Sequence, residues 1–111
     1  MSLQIYAYNP NKLIINLKKA IDEGNIVTWS YDQDGDFSHT PAQWINQAWL
    51  RPKIYNDKLE FNIIKPSNKT ITSLVYAVYH GRFLETFLTH FDTDFTSATV
   101  SALPTDEDII T

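Results

Sequence analysis

The hydrophobic positions change period along the chain, and the first regular stretch predicts a helix. Between residues 10 and 23 apolar side chains recur every three or four positions, as on the buried side of an amphipathic helix. Asn9 is a favourable N-cap, Pro10 suits the first helical position, and Gly24 is typical of a residue that ends a helix. We therefore predict a first helix over residues 10–23.

A second helical pattern runs over residues 73–91, where Thr72 or Ser73 can cap its start. Its later half is apolar on one side and polar on the other. The apolar residues are Phe83, Leu84, Phe87, Leu88 and Phe91. Projection at 100° per residue places His80 near the middle of the apolar face, so we expect this histidine to be buried or to line a cleft.

Strand-like alternation or β-rich composition marks the remaining structured segments. These are residues 26–31, 47–54, 59–65 and 95–103, with a further short strand at 3–8. A turn at 55–58 joins two of them into a hairpin. Because Pro52 lacks a backbone donor, its strand is expected to lie at a sheet edge or to be irregular there. The pattern leaves open whether residues 3–8 pair within the chain or with a second copy.

The resulting order, (β)αβββαβ, predicts an α+β fold: a small, mostly antiparallel sheet with two helices packed on one face. A chain of 111 residues is long enough for one hydrophobic core. We predict a single globular domain over residues 1–104, followed after Pro104 by an acidic C-terminal tail at 105–111.

Composition narrows the classes of function. There is no cysteine, which excludes a disulfide framework and thiolate chemistry. No run of eighteen apolar residues and no basic, apolar leader are present, so we expect a cytoplasmic protein without a membrane partner. The net charge of -4 argues against broad nucleic-acid binding, which needs a basic patch, and favours a basic protein partner.

Residues 29–53 carry the most distinctive chemistry. All the tryptophans lie here, and three aspartates alternate between the first two of them. The residues are Trp29, Trp44, Trp49, Asp32, Asp34 and Asp36. Aromatic and acidic loops are often the working surface of a small domain, so we expect the functional site in this region.

The alternating aspartates suggest a calcium loop, but their spacing does not fit one. An EF-hand needs glycine at its sixth position and a bidentate glutamate at its twelfth. Counted from Asp32, Gly35 comes two places early, and the twelfth residue is Gln43. We predict no metal site and no cofactor, and we expect the aspartates to form Asx-turns around Gly35.

Two histidines are candidates for acid–base chemistry. His39 follows Asp36 by three residues, and a carboxylate could orient an imidazole that titrates near neutral pH. With His80, these residues define one hypothesis: a small hydrolase or ligand-binding enzyme with an Asp/His cleft. The simpler interpretation is that each histidine is hydrogen-bonded without a catalytic role.

The other hypothesis is a binding surface. Trp49 shares its strand face with Arg51 and Lys53, so we expect it to be the most exposed tryptophan. Exposed tryptophan beside arginine is typical of binding hot spots. The predicted partner-binding residues are Asp32, Asp34, Asp36, Trp44, Trp49 and Arg51.

Two segments, YDQDGDFSHTPAQWINQAWLRP at residues 31–52 and VYAVYHGRFLETFLTHFD at 75–92, resemble a group of small bacterial proteins. The resemblance implies a bacterial cytoplasmic setting and brings no catalytic residues with it. Size, acidity, the lack of cysteine and the aromatic and acidic loop fit an immunity protein or antitoxin that neutralises a basic toxin such as a nuclease. The small enzyme stays open as the alternative.

Overall fold

The computed structural model describes residues 1–111 and contains two helices and one six-stranded sheet. The elements are β1 (Ser2–Tyr6), α1 (Pro10–Asp22), β2 (Trp29–Tyr31), β3 (Phe37–His39), β4 (Trp49–Ile54), β5 (Lys58–Ile64), α2 (Ser73–Phe91) and β6 (Ser97–Val100). The predicted α+β class is confirmed, with one strand more than expected. Neither helix is long and apolar enough to cross a membrane.

Both helices begin where their capping residues indicate. The Asn9 side chain accepts a hydrogen bond from the backbone N–H of Lys12 at 3.1 Å, and Thr72 accepts one from Val75 at 3.2 Å. Each bond satisfies one N–H group that the first turn of a helix cannot pair internally. After α1 the chain turns at Gly24, whose φ of +78° is a conformation that glycine adopts without strain.

The strands follow the order β2-β3-β4-β5-β1-β6, and all neighbouring strands are antiparallel. β1 pairs within the chain on both sides: Leu3 lies opposite Phe61 of β5 and opposite Val100 of β6. The predicted hairpin is confirmed as β4 and β5, with Leu50 opposite Ile63.

The sequence predicts no strand between residues 31 and 47, which is wrong because residues 37–39 form β3. Trp29 lies opposite His39, and Phe37 lies opposite both Tyr31 and Leu50. Three residues are too few to show an alternating pattern, and the turn-forming residues on each side of them favour a loop. The strand exists because Phe37 is fully buried in the core.

The expectation that the strand is at an edge or irregular at Pro52 is confirmed locally, although β4 as a whole lies between β3 and β5. Pro52 pairs in register with Phe61 of β5. β3, however, pairs with β4 only at Leu50. At Pro52 the backbone of β4 therefore has no hydrogen-bonded neighbour on its β3 side. Proline, which lacks an N–H, is tolerated at such a position.

The core lies between the sheet and the two helices. α1 packs against β2 and β5, and α2 packs against β1. Phe83 of α2 is central, with ring centroids 4.5 Å from Trp29, 4.8 Å from Phe61 and 5.5 Å from Phe37. These four aromatic side chains join α2 to three strands of the sheet.

The C-terminal segment packs back on the sheet through Asp108. Its carboxylate accepts hydrogen bonds from the backbone N–H groups of Ile63 at 3.0 Å and Thr105 at 2.7 Å. It also lies 3.0 Å from the ammonium group of Met1. The next residue, Ile109, then forms a parallel bridge with Ile64, beyond the start of β1, where Ser2 lies opposite Asn62. Asp108 therefore connects this segment to β5 and to Met1, the residue that precedes β1.

Two substitutions test the assignment of the helices to the core. Leu17 and Phe87 are fully buried, so Leu17→Ala and Phe87→Ala should each lower the free energy of unfolding by about 2–5 kcal/mol. Urea denaturation measures the loss. The control is Leu88→Ala, because Leu88 is about half exposed and should lose much less. Near-wild-type unfolding of both buried variants would contradict the packing.

A second pair of variants tests the anchoring of residues 105–111. Asp108→Asn replaces a carboxylate that accepts from two backbone N–H groups and should destabilise the protein by about 1–3 kcal/mol. Amide hydrogen exchange at Ile63 should accelerate, since its acceptor is weakened. Asp106→Asn is the matched control because Asp106 is exposed. Equal exchange at Ile63 in both variants would show that the segment is not held by Asp108.

Candidate functional site

The aspartate loop between β2 and β3 is ordered by its own hydrogen bonds. One oxygen of Asp32 accepts from the backbone N–H groups of Asp34 at 2.9 Å and Asp36 at 3.0 Å. Gly35 has a φ of +85° and donates its N–H to the Asp32 carbonyl at 3.0 Å. The predicted Asx-turn around Gly35 is confirmed. The side chains of Asp32 and Asp34 stay exposed.

Asp36 has a different environment from the other two aspartates. It is buried, and its two oxygens accept from the Nε and Nη2 atoms of Arg51 at 3.2 and 3.0 Å. Bidentate pairs of this kind fix orientation as well as charge. The hydrogen bonds to Asp36 raise the pKa of Arg51, whereas partial burial of the guanidinium lowers it. The negative charges of Asp36, Asp34 and Asp32 raise it further, and the net effect is a raised pKa.

Arg51 connects the loop to the strand face that carries Trp49. The two residues are two positions apart on β4 and therefore project to the same side of the sheet. Trp49 is partly buried rather than fully exposed. Of the predicted partner-binding residues, hydrogen bonds thus connect the three aspartates and Arg51, and Trp49 shares the strand face of Arg51. Trp44 instead borders a separate pocket.

Asp36, His39 and His80 do not share hydrogen-bond partners. Asp36 pairs with Arg51, and the Nδ1 atom of His39 lies 2.7 Å from the Thr28 carbonyl. The two ring nitrogens of His80 face the carbonyls of Tyr76 at 2.7 Å and Met1 at 3.0 Å. Burial lowers the pKa of His80, while its two carbonyl partners oppose that shift. Each residue therefore holds a different part of the fold.

A pocket of about 160 Å³ lies where α2 faces β2 and the segment that follows β3. Its aromatic and polar walls include Trp29, His39, Gln43, Trp44, Arg82 and Glu85. The pattern of the sequence singled out three of these residues. It missed Gln43, Arg82 and Glu85, because polar side chains on a helix or in a loop are usually solvated. Because Arg82 and Glu85 are three residues apart, they lie on the same side of the predicted helix. This spacing is the one feature of the sequence that could have grouped them.

The geometry of His39 defines its tautomer. A carbonyl can only accept, so Nδ1 carries the proton that is donated to Thr28, and Nε2 of the neutral ring is an acceptor. The ring stacks on Trp29 with centroids 4.4 Å apart. Burial lowers the pKa of His39, and the hydrogen bond to Thr28 only partly opposes this effect. A neutral ring with an available acceptor is therefore favoured in the folded protein.

No group of three or more histidine, aspartate or glutamate side chains is arranged to hold a metal ion. No family model, curated protein or solved structure matches this chain. The chemistry of the site therefore rests on the contacts of its own residues.

The pKa of His39 makes stability depend on pH. The unfolded chain, with a histidine pKa of about 6.5, takes up a proton before the folded chain does. The contribution of His39 to the free energy of unfolding is therefore fully present above about pH 6.5, where the ring is neutral in both states. It is lost as the pH falls toward the folded-state pKa. The free energy of unfolding should decrease between about pH 7.5 and pH 5.5 and decrease less in His39→Gln.

Urea denaturation at both pH values measures the effect. The control is His90→Gln, which removes an exposed histidine at the end of α2 by the same substitution. If His39→Gln and His90→Gln respond to pH alike, burial of His39 does not contribute to the effect.

Proposed function

We propose that this chain is a protein-binding module with a basic partner, and most concretely an immunity protein or antitoxin that neutralises a basic toxin such as a nuclease. The observation that carries the proposal is the ordered aspartate loop. Its turn is preformed by Asp32 and Gly35, and its base is fixed by the pair of Asp36 and Arg51. A loop that is already ordered loses little conformational entropy when a partner binds.

Charge supports the choice of partner. The carboxylates of Asp32 and Asp34 are exposed, whereas Asp36 is matched by Arg51. Two exposed carboxylates that form no salt bridge, carried on a fixed loop, favour encounter with a positively charged surface. The net charge of -4 acts in the same direction.

Trp49 supplies a complementary apolar contact. It is partly exposed on the β4 face that Arg51 connects to the loop. Partly exposed tryptophan next to arginine matches the residue types that dominate binding energy in interfaces. We therefore assign association mainly to the aspartates and the lifetime of the complex mainly to Trp49.

The same region gives less support to hydrolysis. Ser38, the hydroxyl next to His39 in sequence, donates to the Ala48 carbonyl at 3.0 Å and lies 3.3 Å from the hydroxyl of Tyr79. It has no hydrogen bond to His39. A serine nucleophile needs a base within hydrogen-bond reach, and Asp36 is already paired with Arg51.

The proposal predicts that a gene adjacent to that of this protein encodes a basic toxin, and binding of the chain to the product of that gene is the test. Asp32→Lys with Asp34→Lys should reduce the association rate constant at least tenfold at low salt and less at high salt, because ions screen exposed charges. Trp49→Ala should accelerate dissociation roughly 30-fold, which corresponds to about 2 kcal/mol. Surface plasmon resonance at two salt concentrations measures both constants.

The matched control is Asp92→Lys with Asp94→Lys, which makes the same change in net charge at two exposed positions just after the C-terminus of α2. Association should be affected much less by this control. Growth of cells that express the toxin should be restored by co-expression of the wild-type chain. If no toxic protein is encoded beside it, or if both double variants bind like the wild type, the proposal is wrong.

A further inference from the structure

The Nε2 atom of His39 is an acceptor that no group of the protein uses. His39 is 5% exposed, and its Nδ1 proton is donated to the Thr28 carbonyl, so Nε2 of the neutral ring can only accept. The only fully enclosed side-chain nitrogen or oxygen without a hydrogen-bond partner is Nε1 of Trp29. Because Nε2 of His39 also lacks a partner, it is not enclosed and keeps contact with solvent.

This contact lies in the pocket of about 160 Å³ beside α2. Of the four cavities on the protein, His39 borders only this one. The rest of its ring is covered, since it stacks on Trp29 and lies edge-on to Tyr79. An unpaired acceptor on an almost fully buried side chain therefore faces the pocket, where an occupant with a hydrogen-bond donor can satisfy it.

Two opposite charges stand at the rim of the same pocket. Arg82 and Glu85 both line it, and each side chain is more than half exposed. Their charged groups are 3.7 Å apart, and exposed pairs of this kind contribute little, so each group is available to a ligand. Beyond burial and the bond to Thr28, the charge of Arg82 lowers the pKa of His39 and that of Glu85 raises it, so both charges act on the ring.

These three side chains define the chemistry of an occupant. Nε2 of His39 needs a hydrogen-bond donor, Glu85 needs a positive charge, and Arg82 needs a negative charge. An ammonium group meets the first two needs at once, and a carboxylate meets the third through the planar guanidinium. A carboxylate alone would leave His39 without a donor, and an amine alone would leave Arg82 without a counter-charge.

We propose that this pocket binds a small free α-amino acid, whose ammonium group donates to His39 and pairs with Glu85 and whose carboxylate accepts from Arg82. An α-amino acid carries its two charged groups on one carbon, which suits binding groups only 3.7 Å apart. The volume equals about five water molecules in the liquid, at roughly 30 Å³ each, which is enough for glycine and too little for a peptide. The pocket contains none of the aspartates of the loop, and this binding does not depend on the protein partner.

Glycine is the probe, and the indole N–H signal of Trp44, which borders the pocket, is the readout by nuclear magnetic resonance. Trp44→Phe assigns this signal. Trp49→Phe assigns that of Trp49, which borders a different cavity and serves as the reference. Glycine should shift the Trp44 signal saturably, with a dissociation constant of about 1 mM or lower, and leave the Trp49 signal in place. Acetate, without the ammonium group, and methylammonium, without the carboxylate, should each bind roughly tenfold more weakly or less.

Three variants test the roles of the binding groups. Arg82→Gln and Glu85→Gln each remove one exposed charge and should each weaken glycine binding roughly fivefold, about 1 kcal/mol. His39→Phe keeps an aromatic ring against Trp29 but removes the acceptor, and it should weaken binding roughly tenfold or more. An unchanged Trp49 signal in each variant shows that the fold is retained.

The comparison variant Asp32→Lys with Asp34→Lys should bind glycine like the wild type, which separates this site from the partner surface. The proposal is overturned if glycine gives no saturable shift up to roughly 20 mM, or if acetate or methylammonium binds as tightly as glycine. It is equally overturned if His39→Phe, or both charge variants, bind glycine like the wild type.

Discussion

The packing of Phe83 against the sheet is the interaction on which the other features of this protein depend. Its ring contacts Trp29, Phe37 and Phe61, which belong to three different strands. Because these aromatic groups are fully or almost fully buried, they fix both the position of α2 and the short strands β2 and β3. Without this contact, strands of three residues would have little reason to form.

The same contact also creates the pocket. Trp29 is held between Phe83 on one side and His39 on another, so its indole borders the cavity without being free to move. Arg82 is the neighbour of Phe83 in sequence and is brought to the wall of that cavity by the same helix. Core packing and the polar environment of the pocket are therefore two consequences of one helix position.

The aspartate loop depends on a different interaction. Asp36 and Arg51 form a bidentate pair that ties the start of β3 to β4. The pair holds the loop in place, while hydrogen bonds to Asp32 set its shape. The loop and the pocket are thus supported separately: the loop by an ion pair, and the pocket by aromatic packing.

The sequence by itself determined the elements that have a clear period or a strong signal at their ends. Both helices, the β4–β5 hairpin and the Asx-turn around Gly35 follow from local spacing, because helical period, capping and turn chemistry act over a few residues. Only the tertiary structure decided the rest. β3 exists because Phe37 is buried by distant partners, and β1 lies inside the sheet because β5 and β6 pair with it. Arg82 belongs to a pocket because α2 packs beside Trp29, and that contact joins residues far apart in the chain, which no local pattern records.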